Sequence, residues 1–171
     1  MSVRTAALRA SAGIALLALA LPSPAGAQPA GCRDLADDEA VVCEINRVRA
    51  ARDLGDFAED RQLQRTAGAH ARDMVARHYF SHLTPEGRRP SDRLRAAGYI
   101  TGRVPWHVGE TLAWGRGRLS TPSAVVAAWM RSPSHRRMLL GPFLEIGVGV
   151  ARGVPTGGRG ATYTADFGRL G

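Results

Sequence analysis

The sequence predicts an α+β fold in which helices are layered against a small sheet. Two observations lead to this prediction. From about residue 37 to residue 138, apolar residues recur mainly at helical spacing. Near the C-terminus they alternate with small residues at strand spacing. Because most helices precede the clearest strands, the two kinds of element are expected to segregate in the fold.

The N-terminal residues 1–27 have the pattern of a cleaved secretory signal peptide. Arg4 and Arg9 give a positive start, residues 14–21 form an apolar run, and Ala25-Gly26-Ala27 supplies the small residues that a signal peptidase recognises. We therefore predict cleavage before Gln28 and a secreted or periplasmic destination. The alternative is an N-terminal membrane anchor, but the apolar run is shorter than the ~20 residues that a permanent span needs.

The remainder of the chain, residues 28–171, is long enough for one domain with its own core. We divide it into an N-terminal segment, 28–40, and a single domain, 41–171. The full chain has a formal net charge of +8, and all 23 basic residues are arginine. These arginines are scattered among acids, with no dense basic run that is interleaved with aromatics. Nucleic-acid binding is therefore not expected, whereas a basic exterior favours anionic envelope surfaces.

The chain has two cysteines, Cys32 and Cys43. An even count in an exported chain favours one disulfide, which would join the N-terminal segment to the first helix. The loop is short, so we expect a stabilisation of ~3 kcal/mol or less. The alternative is two free thiols. Lipid attachment at Cys32 is disfavoured, because Pro29 stands where a lipoprotein signal carries an aliphatic residue.

Two helices are predicted at the start of the domain. Asp37 and Asp38 suit a helix N-terminus, and Val41, Ile45 and Val48 follow on one face. The second helix is predicted over residues 60–77, with arginines on the face opposite its apolar stripe. That stripe consists of Leu63, Ala67, Ala71 and Met74.

A loop over residues 78–90 is predicted next, because Thr84-Pro85-Glu86-Gly87 has turn chemistry. A short helix then begins at Pro90 and ends at Gly98. An extended segment is predicted over residues 107–113. Thr121-Pro122 and Ser132-Pro133 each begin a further helix, since proline is favoured at the first helical position.

The C-terminal part has strand periodicity. Ile146, Val148 and Val150 alternate with small residues, and residues 162–167 alternate again. The glycine-rich stretch 153–160 between them predicts a hairpin loop.

Three polar residues, His82, Glu110 and His135, each lie within a distinctive short sequence motif. Imidazole and carboxylate are the groups that bind metals and move protons near neutral pH. Taken alone, each of the three also has a structural interpretation: the histidines could fix a loop or cap a helix, and Glu110 could pair with an arginine. Because His135 falls in the first turn of a predicted helix, its neutral form is expected. His70 lies on the apolar stripe of the second helix and is interpreted as a core histidine.

The sequence around these residues resembles that of the bacterial branch of the CAP superfamily. This superfamily includes cysteine-rich secretory proteins, venom antigens and plant pathogenesis-related proteins. The resemblance spans about residues 41–168. Seven phrases in order are responsible for it: Leu63…Ala67…His70-Ala71-Arg72-Asp73-Met74, Tyr79-Phe80-Ser81-His82, Asp92-Arg93-Leu94…Ala97-Gly98-Tyr99, Gly109-Glu110-Thr111-Leu112-Ala113, Trp129-Met130-Arg131-Ser132-Pro133-Ser134-His135-Arg136, Ile146-Gly147-Val148-Gly149-Val150 and Tyr163-Thr164-Ala165-Asp166-Phe167-Gly168.

The resemblance implies a three-layer α-β-α sandwich with a small, mainly antiparallel sheet and a central cleft. It also implies that His82, Glu110 and His135 line that cleft. Many family members carry a second glutamate shortly after the tryptophan, and here Ser132 takes the corresponding place in the cleft. Thr111 replaces the asparagine that usually follows the family's Gly-Glu pair.

The resemblance associates the chain with metal, lipid or sterol and peptide binding, and with proteolysis. Our leading hypothesis is a secreted, monomeric domain that binds a ligand in this cleft without turnover. The ligand is a divalent metal, a lipid or an envelope-derived molecule. Two histidines and a carboxylate are a ligand set that catalytic zinc uses, so His82 and His135, with Glu110, are the predicted ligands of zinc or another divalent metal.

Two other functions stay open. One is a hydrolase that acts on peptide or cell-wall bonds with Glu110 or His135 as catalytic residue, but the His-Glu-x-x-His and Gly-x-Ser-x-Gly signatures are absent. The other is a structural envelope module that binds a partner through its surface. The preferred interpretation is that the protein is not an enzyme.

Overall fold

Five α-helices and four strands are formed by residues 31–171, which are the part of the chain that the computed structural model describes. The predicted signal peptide, residues 1–27, lies outside the described residues. The helices are α1 (Asp37–Ala50), α2 (Arg61–Ala76), α3 (Pro90–Ala96), α4 (Pro122–Arg131) and α5 (Pro133–Leu139). The strands are β1 (Ala58–Glu59), β2 (Trp106–Gly115), β3 (Glu145–Arg152) and β4 (Ala161–Leu170). Short 3-10 helices span Cys32–Asp34 and Gly117–Ser120.

The four strands form one sheet in the order β1-β3-β4-β2. β4 pairs antiparallel with both β2 and β3, and only the two-residue β1 pairs in parallel, with β3. The predicted α+β class and the small, mainly antiparallel sheet are therefore confirmed, as is the hairpin between the last two strands. β1 was not predicted, because two residues are too few to show an alternating pattern.

Helix α2 lies directly on one face of the sheet. A Cβ atom on Gly147 would come within 2.0 Å of the backbone nitrogen of Gln64, and one on Gly149 within 2.0 Å of that of Gly68. Glycine at these two positions of β3 therefore lets helix and strand backbones touch. Helix α3 adds Leu94 to a small apolar cluster on the same side.

The larger apolar core lies on the opposite face of the sheet, under α1, α4 and α5. Ile146 and Val148 point to this side because they alternate with the two glycines that face α2. They pack among buried residues that include Ile45, Val125 and Trp129. Helices on both faces give the three-layer α-β-α sandwich.

The helix starts follow the capping signals of the sequence. Proline occupies the first turn of α3, α4 and α5, as predicted. Asp60 caps α2 by accepting hydrogen bonds from the backbone nitrogens of Gln62 and Leu63. The predicted disulfide between Cys32 and Cys43 is present and joins the first 3-10 helix to α1. None of the helices in residues 31–171 has the length and apolar character needed to span a bilayer.

Candidate functional site

The register of the sheet places Glu110 beside Asp166 on the face that α2 covers. Glu110 of β2 is the partner of Asp166 of β4, and Asp166 is in turn the partner of Gly147 of β3. Side chains of directly opposed residues in an antiparallel pair share one face. Two carboxyl groups therefore lie next to each other in the layer between the sheet and α2.

Both oxygens of Glu110 have partners. Oε1 accepts a hydrogen bond from Nδ1 of His82 at 2.6 Å, and Oε2 accepts one from the guanidinium of Arg93. The Glu110 side chain is only 1% exposed, and that of Arg93 is 10% exposed. Glu110 is thus a buried carboxylate with a charged partner, as such a group requires.

His82 lies at the surface end of this cluster, with its side chain 52% exposed. A carboxylate only accepts hydrogen bonds, so the Nδ1 atom that faces Glu110 must carry a proton. When the ring is neutral, Nε2 is then the atom with the free lone pair. Arg93 also donates to the backbone carbonyl of His82 at 2.8 Å, so one guanidinium holds both the loop and the carboxylate that orients the ring.

His135 lies in the first turn of α5 and is partly buried. Burial lowers the pKa of His135, and the positive charge of His82 lowers it further. The neutral form of His135, which the sequence predicts, is therefore favoured. The main cause is burial and not the helix N-terminus on which the prediction was based. Among the described residues, no hydrogen bond joins His135 to His82 or to Glu110.

Ser132, the fourth predicted cleft residue, begins α5, and its side chain forms no hydrogen bond with a histidine among the described residues. Its hydroxyl lies 3.1 Å from that of Ser134, and both residues are near the surface. Among the hydrogen bonds of residues 31–171, none joins either serine to His82 or His135. The structure shows no serine–histidine pair of the kind that serine hydrolases use.

His70 is buried, as predicted for a core histidine, and it supports the site from α2. Its Nε2–H donates to the backbone carbonyl of Ser81 at 3.0 Å, which fixes the loop just before His82. Nε2 also lies 4.0 Å from Oε2 of Glu110. This distance alone would suit an ion pair, but burial lowers the pKa of His70 more than Glu110 raises it. We therefore describe His70 as a neutral side chain.

The sequence analysis did not find two members of the cluster, Arg93 and Asp166. Asp166 is fully buried, and neither of its carboxyl oxygens has a hydrogen-bond partner among the described residues. Burial raises the pKa of Asp166 well above its usual value, and the negative charge of Glu110 raises it further. The neutral acid is thus favoured. Strand alternation would have placed Asp166 on the same face as Thr164 and Gly168, but it does not show that this face is covered.

The predicted metal ligands do not fit a metal ion well. In the part of the chain that the structure describes, no group of three or more His, Cys, Asp or Glu side chains is arranged to hold one. Glu110 is already paired with His82 and with the cation of Arg93. A divalent cation would have to displace the guanidinium from a buried carboxylate. No step of our functional argument therefore depends on a metal.

Comparison with known proteins gives concordant matches. Residues 42–167 match the cysteine-rich secretory protein family, abbreviated CAP. The uncharacterized protein YkwD of Bacillus subtilis (strain 168) is 36% identical over 133 residues, which cover 76% of this chain and 46% of that protein. A crystal structure of an extracellular protein containing an SCP domain from Bacillus anthracis is 28% identical, with a TM-score of 0.62. The match covers 77% of this chain and 39% of the Bacillus anthracis chain.

An outer surface protein of Borrelia burgdorferi shares the fold, with a TM-score of 0.63 and 22% identity over 75% of this chain and 88% of that one. The chain spans less than half the length of the Bacillus subtilis relative and of the Bacillus anthracis structure.

Proposed function

This chain belongs to the CAP (cysteine-rich secretory protein) family, and we propose that it binds a polar, envelope-derived molecule at His82 and His135 without turning it over. The observation behind this proposal is the state of Glu110, whose two oxygens are already occupied by His82 and Arg93. A carboxylate in this position orients an imidazole, and with only 1% of its side chain exposed it is not accessible to a substrate. The cluster is built to present His82 in one orientation.

The chemistry of the two histidines supports a polar ligand. His82 offers Nε2, which has no hydrogen-bond partner among the described residues, and His135 is held neutral by burial. A neutral imidazole can donate one hydrogen bond and accept another. Hydroxyl and amide groups, which abound in envelope glycans and peptides, match this pattern better than an acyl chain does.

Export of the protein is part of the proposal. It is supported by the leader pattern of residues 1–27, by the disulfide between Cys32 and Cys43, and by the likeness to an extracellular SCP-domain protein. Disulfides persist in oxidising compartments, which is where an envelope ligand would be met.

The test is a titration followed by NMR of the imidazole signals, with soluble fragments of lysozyme-digested peptidoglycan as the probe. We expect the ring signals of His82 and His135 to shift and the binding to be lost in His82→Ala and His135→Ala. The matched control is His107→Ala, which removes an exposed histidine that packs on Phe143 with ring centroids 4.9 Å apart. Binding that is unchanged by the first two substitutions, or lost equally in the control, would contradict the proposal.

A zinc titration by calorimetry belongs to the same experiment. The proposal expects no difference in heat between the wild-type protein, His82→Ala and His135→Ala. A zinc-binding heat that disappears in both variants would instead support the metal ligand set predicted from the sequence.

A hydrolase is the second candidate, because the hydrogen bond from His82 to Glu110 is the arrangement that prepares an imidazole as a general base. In that case His82 would activate a water molecule. Incubation with casein and with insoluble peptidoglycan decides the matter: release of soluble product that His82→Ala abolishes, in a variant with an unchanged circular dichroism spectrum, would favour the hydrolase. We expect no product above the level of a blank.

A further inference from the structure

Two adjoining cavities lie between α2 and α3, next to the buried cluster around Glu110, because His70 and Arg93 belong to both. Their volumes are about 560 Å³ and about 360 Å³, and they share Ala69, Arg88 and Arg93 as lining residues. We call them together the α2–α3 groove. None of His82, Glu110 and His135 lines it. Its walls are formed by Ala69, His70, Asp73, Arg77, Thr84, Glu86, Arg88 and Arg93 in the larger part, and by Arg65, Thr66, Ala69, Arg88, Arg93, Ala96 and Ala97 in the smaller part.

The groove has a small excess of positive charge, because its four arginines outnumber by one its two acids and the Glu110 that pairs with Arg93. Its two acids, Asp73 and Glu86, both pair with Arg77. The hydrogen bond from Arg77 holds the pKa of Glu86 down at about 2, so that acid stays ionised and engaged. Among residues 31–171, no carboxylate pairs with Arg65 or Arg88, and no acid lines the smaller cavity.

Arg93 is a fixed guanidinium in the wall of the groove, and its charge is balanced by Glu110. Its side chain is nine-tenths buried, and it is held by Glu110 and by the backbone carbonyls of His82 and Arg88. Its Nε atom is buried and has no hydrogen-bond partner among the described residues. A guanidinium that is already immobilised loses little entropy when it binds an anion.

The floor of the groove leaves room for a chain of anionic groups. Ala69 of α2 faces Ala96 of α3 and its neighbour Ala97 across the smaller cavity, and methyl groups occupy little of the space between the helices. Because the two cavities share Ala69, Arg88 and Arg93, they form one continuous space whose lining also includes Arg65 and Arg77. Repeated anionic groups on one ligand could therefore meet several guanidiniums at once.

We propose that the α2–α3 groove binds an extended polymer that carries repeated phosphate groups. A phosphate presents tetrahedrally arranged oxygens that can bridge guanidiniums on different walls, whereas a planar carboxylate matches a single guanidinium fork. No Phe, Tyr or Trp lines either cavity, so the groove has no platform on which the bases of a single-stranded nucleic acid could stack. This site shares Arg93 with the cluster that orients His82, but it does not depend on the function proposed for His82 and His135.

The test compares two double variants that each remove two positive charges. Arg65→Gln/Arg88→Gln changes the groove, and Arg136→Gln/Arg137→Gln changes two exposed arginines of α5. The probe is short-chain inorganic polyphosphate, and the dissociation constant is measured by calorimetry over a range of salt concentrations. Non-specific attraction to a basic protein falls equally in the two variants, so their difference reports the groove.

We expect the groove variant to bind polyphosphate about tenfold more weakly than the α5 variant. The slope of log K against log salt should also be smaller by about 1.4, because two phosphate contacts are lost. In the wild-type protein, the backbone amide signals of Ala69, Ala96 and Ala97 should shift on titration.

Three results would overturn the proposal. Equal weakening in the two variants would mean general electrostatic attraction. Equally tight groove binding of polyglutamate would mean that phosphate is not the recognised group. Orthophosphate that matches polyphosphate in affinity would mean that the groove holds single anions. Each of these results can be obtained while peptidoglycan binding at His82 stays intact. The polyphosphate test and the peptidoglycan test can therefore fail independently of each other.

Discussion

Replacing Asp166 by asparagine tests the electrostatics of the buried cluster directly. Asp166 is fully buried on the central strand β4, beside Glu110, and burial raises its pKa. In the unfolded chain the same carboxyl titrates near pH ~3.9. Between that pH and the raised native pKa, the folded protein binds one more proton than the unfolded chain does.

The sign of the effect follows from this difference in bound protons. In that window, the contribution of Asp166 to the free energy of unfolding falls as the pH rises, by at most about 1.4 kcal/mol per pH unit for one proton. Below the unfolded pKa the contribution is fully present. Asparagine has nearly the same volume and does not titrate, so Asp166→Asn should lose this dependence. The stability of the variant relative to wild type should increase from pH 5 upwards and level off above the native pKa.

Urea denaturation at several pH values between 5 and 8 measures this difference, with the fluorescence of the buried Trp129 as one probe. Titrating groups that do not interact with Asp166 are common to both proteins and cancel in the comparison, whereas Glu110 and Asp166 titrate as a coupled pair, so the difference reports that pair. The control is Asp34→Asn, an exposed aspartate for which a constant difference is expected. A difference for Asp166→Asn that stays constant, or that falls as pH rises, would refute the reasoning, because it would mean that Asp166 is ionised in the native state.

Three further predictions concern stability. Glu110→Gln leaves a buried guanidinium without its counter-charge and should cost about 3 kcal/mol, seen as a melting temperature lower by about 10 °C; an unchanged melting temperature would contradict the buried pair. Gly147→Ala places a methyl group 2.0 Å from a backbone nitrogen of α2 and should cost about 3 kcal/mol or more in urea denaturation. Gly55→Ala, which meets no atom within 4 Å, should change stability by less than about 0.5 kcal/mol, and equal effects would refute the close helix–strand contact. Reduction of the Cys32–Cys43 disulfide should cost ~3 kcal/mol or less, and complete unfolding on adding a reductant would show that the fold depends on it.

The positions of most elements could be predicted from the sequence, because they depend on local signals. Proline at helix starts, apolar residues at helical spacing and strict alternation at the C-terminus each act over a few residues. The resemblance to the CAP superfamily supplied the sandwich and the order of its parts. β1 escaped prediction since its pairing with β3 depends on a neighbour far along the chain.

The sequence predicted His82 and Glu110 as residues of the candidate site. It did not predict Arg93, which holds them in place. His82 and Glu110 stand in recognisable phrases, and the structure joins them by a 2.6 Å hydrogen bond. Arg93 was indistinguishable from the other surface arginines of a chain that contains 23 basic residues. Its burial depends on α3 packing against β2, and no local pattern encodes that contact.

The sequence by itself determined which segments become helices and strands, that two cysteines are available to pair, and which histidines and which glutamate are candidates for the site. Only the tertiary structure decided that Glu110 pairs with His82 and Arg93, that Asp166 lies beside it and that a groove lined by arginines lies between α2 and α3. The physical reason is the range of the interactions. Hydrophobic periodicity and capping act between near neighbours in the chain, whereas strand register and desolvation are set when distant segments meet.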